Sequence, residues 1–207
     1  MKRGKKLFMF PMILVFFSFV LYGCGNKNQK SADVNLSVTQ KQESDSNDSK
    51  KILVAYFSCT GNTKGVAKLI ASETGADLYE ITPKIPYTDE DLNYNNSNSR
   101  ATKEQNDDNA RPEIEGKKLD ISQYDTIVVA TPLWDSDAPH IISTFLESYD
   151  FTGKTLIPVC TSYSSEPSGV EKRMHSVCKS NVTWKPIKRF GTNFSENEVK
   201  EWVDSWQ

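Results

Sequence analysis

Residues 58–63 read Ser58-Cys59-Thr60-Gly61-Asn62-Thr63, four hydroxyl or amide side chains set around one glycine. They follow a β-rich apolar run, residues 51–57, and precede Val66, Leu69 and Ile70 at helical spacing. A strand, a short polar turn and a helix start together make an anion cup. The first N–H groups of a helix have no partner within it and carry partial positive charge, so they bind phosphate. Ser58, Thr60, Asn62 and Thr63 can add side-chain donors, Cys59 stands at the mouth, and Gly61 lets the backbone approach closely. The same six residues also suit an ordinary capped strand-to-helix turn, because Ser, Thr and Asn favour caps. The phosphate-loop pattern G-x-x-x-x-G-K-[ST] and the dinucleotide pattern G-x-G-x-x-G are both absent. An anion here would be held mostly by neutral donors.

The elements that must position this turn alternate between strand and helix, which predicts a parallel sheet covered on both faces. Strands are predicted at residues 51–57, 77–81, 126–130 and 155–160, with an interrupted fifth at 183–190. Helices are predicted at 62–74, 139–149 and 169–178, and a last one opens on the capping box Ser195-Glu196-Asn197-Glu198. Val199, Trp202, Val203 and Trp206 repeat along it at helical spacing, and the two tryptophans read as core. Residues 82–118 form a long polar excursion containing Pro83, Pro86 and Pro112. A connection of that length without structure of its own is usually functional or mobile.

The turn resembles the S/T-x-T-G-N-T phosphate loop of flavodoxins, and further motifs follow in the order of that family. They are Pro86-Tyr87-Thr88, an Asn-rich stretch ending at Arg100, Arg111-Pro112-Glu113-Ile114, Tyr124-Asp125, Pro132-Leu133-Trp134 and Gly153-Lys154-Thr155. The resemblance covers residues 51–207 and implies a flavodoxin-like α/β fold. That fold is a doubly wound five-stranded parallel sheet of order 2-1-3-4-5, with helices on both faces. Ligands of such sheets lie beyond the carboxyl ends of the strands, where the order switches. Three loops then meet at the ligand: residues 58–63, 131–139 and 161–168.

By resemblance the ligand is FMN, with residues 58–63 on its phosphate. Pro132, Leu133, Trp134 and Asp135 would face the isoalloxazine, and Thr161, Ser162 and Tyr163 its edge. Trp134 suits stacking on a ring, and a loop tryptophan packed on the following helix fits it too. Two departures stand out. Relatives continue P-I-W-W-Y where this chain has Trp134-Asp135-Ser136-Asp137, and T-S-G-G-S-G where it has Thr161-Ser162-Tyr163-Ser164-Ser165-Glu166. Losing the glycine pair removes the easy positive-φ conformations that let backbone N–H groups line a ring edge. Tyr163 either supplies a second wall or fills the ring's space. Asp135, Asp137 and Glu166 would place negative charge near a ring that becomes anionic on full reduction. His140 opens a helix beside the second loop and His175 lies on a polar helix face; neither is assigned a catalytic role.

Residues 1–23 read as a bacterial lipoprotein signal: Lys2, Arg3, Lys5 and Lys6 open it, and an apolar stretch ends at Leu21-Tyr22-Gly23-Cys24. Cys24 would carry the lipid, and an uncleaved anchor helix is the alternative. Residues 24–50 are polar enough to be a disordered tether, with a reach of roughly 25–30 Å. The domain is then expected on the extracytoplasmic face of a bacterial membrane. The chain holds 25 Lys+Arg and 27 Asp+Glu, and residues 1–23 contain four of the basic residues and none of the acidic ones. What remains has 21 against 27, a net −6, with no basic stripe for nucleic acid. With Cys24 acylated, Cys59, Cys160 and Cys178 remain, an odd number that excludes full pairing and leaves a Cys160–Cys178 bridge open. The expected function is an electron carrier serving a redox partner protein or a small acceptor. The alternative is a module of the same fold that binds a phosphorylated ligand or a protein without functional flavin.

Overall fold

The computed structural model describes residues 51–207. The signal segment, the lipidated Cys24 and the tether lie outside the described residues. In chain order the elements are β1 (Ile52–Tyr56), α1 (Asn62–Thr74), β2 (Asp77–Glu80), α2 (Arg100–Gln105), β3 (Thr126–Pro132) and α3 (His140–Ser148). Then follow β4 (Thr155–Thr161), α4 (Ser168–Val177), β5 (Thr183–Trp184), β6 (Lys188–Phe190) and α5 (Glu196–Asp204). All strand pairings are parallel, in the order β2-β1-β3-β4-β5, with β6 also on β4. The expected order holds, and the fifth strand is split in two.

The central strands are apolar on both faces because helices cover both. Leu53, Ala55, Ile127, Val129 and Leu156 pack toward Ile141, Ile142 and Phe145 of α3 and Val170 and Met174 of α4. Val54, Tyr56, Val128, Ala130, Ile157 and Val159 pack toward Val66 and Ile70 of α1 and Val199 and Val203 of α5. Each such aliphatic side chain contributes about 1.5–3 kcal/mol on burial. Trp202 and Trp206 lie half-buried on the second face, their rings 5.5 Å apart, as core residues do. Ser195 caps α5, its side chain accepting from the Glu198 N–H at 3.1 Å.

The split of the fifth strand has a local cause. Leu156 pairs with Trp184 and Val159 with Lys188, so Lys185, Pro186 and Ile187 stand opposite only Ile157 and Pro158. The Leu156 carbonyl accepts from Lys185 N–H at 2.9 Å, so Pro158, two residues on, turns its missing N–H to the same side. A proline on each strand at one level leaves the ladder without donors there.

The excursion differs from its expectation. Within it lies α2, capped by Ser99, whose side chain accepts from Thr102 N–H at 3.3 Å. A partly buried Arg100–Glu104 ion pair at 2.7 Å braces it. Six residues containing one buried apolar side chain, Ala101, show no helical period and would not hold a helix in isolation.

Candidate functional site

The turn after β1 is built on one backbone exception. Gly61 sits at φ 92°, immediately before α1, and offers α1 no side-chain cap. A Cβ placed there would meet nothing within 4 Å, so the glycine serves conformation rather than packing. Gly61 N–H donates to Ser58 Oγ at 3.1 Å, and Asn62 Nδ2 donates to Thr60 Oγ1 at 3.3 Å. The N–H groups of Asn62, Thr63 and Lys64 find no partner among the described residues. The cup is therefore open where a capped turn would have closed it. One expected donor is spent elsewhere: Thr63 is buried, and its Oγ1 lies 2.8 Å from Thr161 Oγ1 at the end of β4. Its backbone N–H stays on the cup while its hydroxyl ties two of the three loops together.

The loop after β3 is made differently. Trp134 and Asp137 exchange both backbone bonds at 2.9 Å, enclosing Asp135 at φ 47° and Ser136 at φ 67°. Two consecutive positive φ values define a two-residue turn of the mirror-image kind, normally filled by Asn-Gly. An L residue with a Cβ costs about 1–2 kcal/mol in that region. Arg173 of α4 holds Asp137 at 2.6 Å and reaches Asp108 at 3.3 Å. Asp137 is consequently neutralised by an ion pair rather than presented to a ligand, which corrects its expected role as bare charge. Asp135 remains exposed.

Trp134 is half-buried, its indole edge-on to Phe57 at 5.5 Å and to Tyr87 at 5.2 Å. It thus packs on the core and also lines a pocket of about 590 Å³, a volume usual for small-molecule sites. Asp135, Ser162 and Tyr163 line the same pocket on one side, Ala101, Thr102 and Gln105 of α2 on the other. Tyr163 is 87% exposed, so its phenol does not plug the crevice. Leu133 N–H donates to Thr161 O at 3.2 Å, continuing the β3–β4 ladder past Pro132. The edge donors of the third loop are partly consumed. Ser162 N–H donates to Phe190 O at 3.1 Å, and its hydroxyl to Ser165 O at 2.7 Å.

Residues 58–63 do not line this pocket; the excursion around α2 forms a roof that lines the pocket through Thr102 and Gln105 and brings Arg100 and Glu104 near Cys59. Arg100 stacks its guanidinium 4.0 Å over the Tyr87 ring and donates to Ile85 O at 2.8 Å, while Tyr87 Oη donates to Glu104 at 2.5 Å. Burial, then the Glu104 bond, pushes the Tyr87 hydroxyl far up, so it stays a donor. Burial likewise pushes the Cys59 thiol up to about 11, with Arg100 pulling it down and Glu104 pushing it up. Cys59 still exposes surface, which tempers that rise, yet its thiol stays protonated at neutral pH and is a poor nucleophile. Cys160 and Cys178 are both buried and free, so the open bridge between them is not formed.

His140 opens α3 as expected, with a ring that reaches no solvent. It is fully buried behind the second loop, Nδ1 3.2 Å from Ala110 O and Nε2 without a partner. Burial, and then the charge of Arg173, lowers its pKa, so the ring is neutral and has no route to a ligand. Tyr87 and Arg100 stand within the family motifs with no role given there, and Glu104, Gln105, Gly169 and Arg173 lie outside every motif named above. Only the spacing Arg100-x-x-x-Glu104, a helical ion pair, offered a signal.

An uncapped α1 N-terminus beside a tryptophan-lined crevice, at the switch point of a 2-1-3-4-5 sheet, defines a flavodoxin-like protein. A sequence model of the flavodoxin family matches residues 51–206, and the chain belongs to that family. It is similar to the crystal structure of a candidate flavoprotein from Bacteroides uniformis, with 40% identity and TM-score 0.72 over 75% of this chain and 98% of that one. A second candidate flavoprotein, from Bacteroides eggerthii, is 38% identical, with TM-score 0.68 over 75% and 96%. A flavoprotein from Lactobacillus acidophilus in complex with FMN shares the fold at 24% identity, with TM-score 0.58 over 74% and 98%. A comparison with functionally curated proteins finds no match.

Proposed function

We propose that this protein binds FMN and carries electrons to or from a redox partner protein or a small acceptor. One observation carries the reading: the α1 N–H groups stand open, unclosed by any side-chain cap, at the carboxyl ends of β1 and β3, the end of the sheet where the pocket walled by Trp134 also lies. Backbone N–H groups and the helix dipole would hold the phosphate, with Thr60 and Asn62 at its side. Trp134 would lie against the ring, and stacking would contribute about 0.5–1.5 kcal/mol beyond area burial. FMN itself supplies the electron chemistry; the chain binds it, orients it and tunes its potential. No side chain is assigned as catalytic.

The test is the absorbance of the purified full-length chain in detergent, followed by titration with FMN. Flavin bands that survive dialysis, or quenching of added FMN fluorescence, are expected. A colourless protein that fails to quench would end the reading. That result would favour a non-redox module, a possibility with its own support: the Ser162 N–H and hydroxyl are already spent within the chain, leaving a ring edge few donors.

Cys24 is proposed as the lipid-bearing residue, tethering the domain outside the cytoplasm. The basic start, the short apolar stretch and Gly23-Cys24 support this. Mass spectrometry of the mature chain checks it: the chain should begin at Cys24 and carry a diacylglycerol mass on it. An unmodified Cys24, or a chain that retains residues 1–23, would reject the lipid assignment.

A further inference from the structure

We propose that Gly169 and Arg173 of α4, together with Gln105 of α2, are positioning residues that hold the 134–137 turn in its left-handed form and so shape the wall that meets the ring. This rests on the FMN reading. Its own sequence maintains the turn only in part, since Asp135 suits the left-handed region but Ser136 carries a Cβ at the position that glycine usually fills. Left to local preference it would relax, and Trp134, the first residue of the turn, would move with it.

Three neighbours oppose that relaxation from two sides. Gly169 lets α4 approach so closely that a Cβ on it would stand 1.9 Å from Ser136 O and 3.1 Å from its carbonyl carbon. Those are backbone atoms, which cannot swing aside as a flexible side chain can. Arg173, one helical turn further along the same face, grips Asp137 at 2.6 Å and extends to Asp108 at 3.3 Å. It therefore joins the turn, α4 and the chain just beyond α2. From the opposite side, Gln105 Nε2 donates to Trp134 O at 3.0 Å and to Ala138 O at 3.3 Å. The backbone on both sides of the strained pair is thus bonded to the roof. Strain kept in a turn persists where its surroundings over-determine it, and such pre-set geometry is what a rigid ligand needs.

Two readouts test the clamp. In flavin-free protein, Gly169→Ala should speed amide hydrogen exchange at Trp134 and Asp137 at least tenfold, with Val128 and Val129 in the core unchanged. In FMN titrations the same variant should raise Kd at least tenfold. Arg173→Met should do both to a lesser degree, and Arg173→Lys should restore most of the loss. Unchanged exchange at Trp134 and Asp137, or an equal rise at Val128 and Val129, would overturn the clamp. Normal FMN affinity in Gly169→Ala would sever it from the ring. Failure of the unaltered chain to bind FMN would instead defeat the FMN reading, while the exchange measurement still decides the clamp.

Discussion

The turns after β1 and after β3 follow neighbouring parallel strands at the same end of the sheet and are built on opposite principles. In the first, a glycine occupies the positive-φ position and the helix N–H groups beyond it are left without partners. In the second, Asp135 and Ser136 occupy such positions, and the backbone around them is tied to α2 and α4. One turn is unstrained and open; the other is strained and tied down. The difference teaches that a site can divide its work. Open donors serve a ligand's anion at little conformational cost. A planar ring needs a wall of fixed shape, and the fold maintains that wall by contacts from distant elements.

The contrast can be broken most directly at Gly61. Gly61→Val places a β-branched residue at φ 92° and should raise Kd for FMN about thirtyfold, equivalent to about 2 kcal/mol. Unchanged affinity would mean that the first turn does not depend on its glycine. Next is pH. His140, behind the second turn, has its pKa lowered from 6.5 in the folded state, so the unfolded chain takes up a proton that the folded chain refuses. Its contribution to stability is full above about 6.5 and declines as pH falls below it. Urea midpoints measured downward from pH 7 should fall, and His140→Gln should flatten that slope.

A smaller effect is expected at Ser136. Ser136→Gly relieves one strained position and should raise unfolding stability by about 0.5–1 kcal/mol after the entropy of the added glycine is offset. A lowered urea midpoint would show that the turn stores no strain. The smallest expected effect is electrostatic. With Asp137 paired to Arg173, Asp135 is the exposed acid left in the turn. Asp135→Asn should raise the potential of the fully reduced flavin by about 10–40 mV, the range of a screened surface charge. A redox titration without an upward shift would discard that coupling.

Much of the fold was legible because its signals are local. Buried strands read as apolar runs, α1 begins at Asn62 where the polar turn ends, and Ser195 caps α5 through the Glu198 N–H. The interruption at Pro186 also showed in the chain itself. The roof did not, because α2 has one buried apolar residue and takes its stability from Arg100, Tyr87 and Gln105 contacts across the loop. The burial of His140 was hidden for a related reason: a helix-opening histidine carries no local sign of it, and the Ala110 carbonyl that meets its Nδ1 lies 30 residues away.

The chain's own local signals settled the alternation of strands and helices and the polar turn at the head of α1, since each depends on neighbours within a few residues. Tertiary structure alone decided that Thr63 bonds Thr161, 98 residues away, and that Asp137 is neutralised by Arg173, 36 residues away. It also decided that Asp135 and Ser136 sit left-handed. Local preference admits Asp135 there but disfavours Ser136, so contacts formed once the chain has folded hold the pair in place.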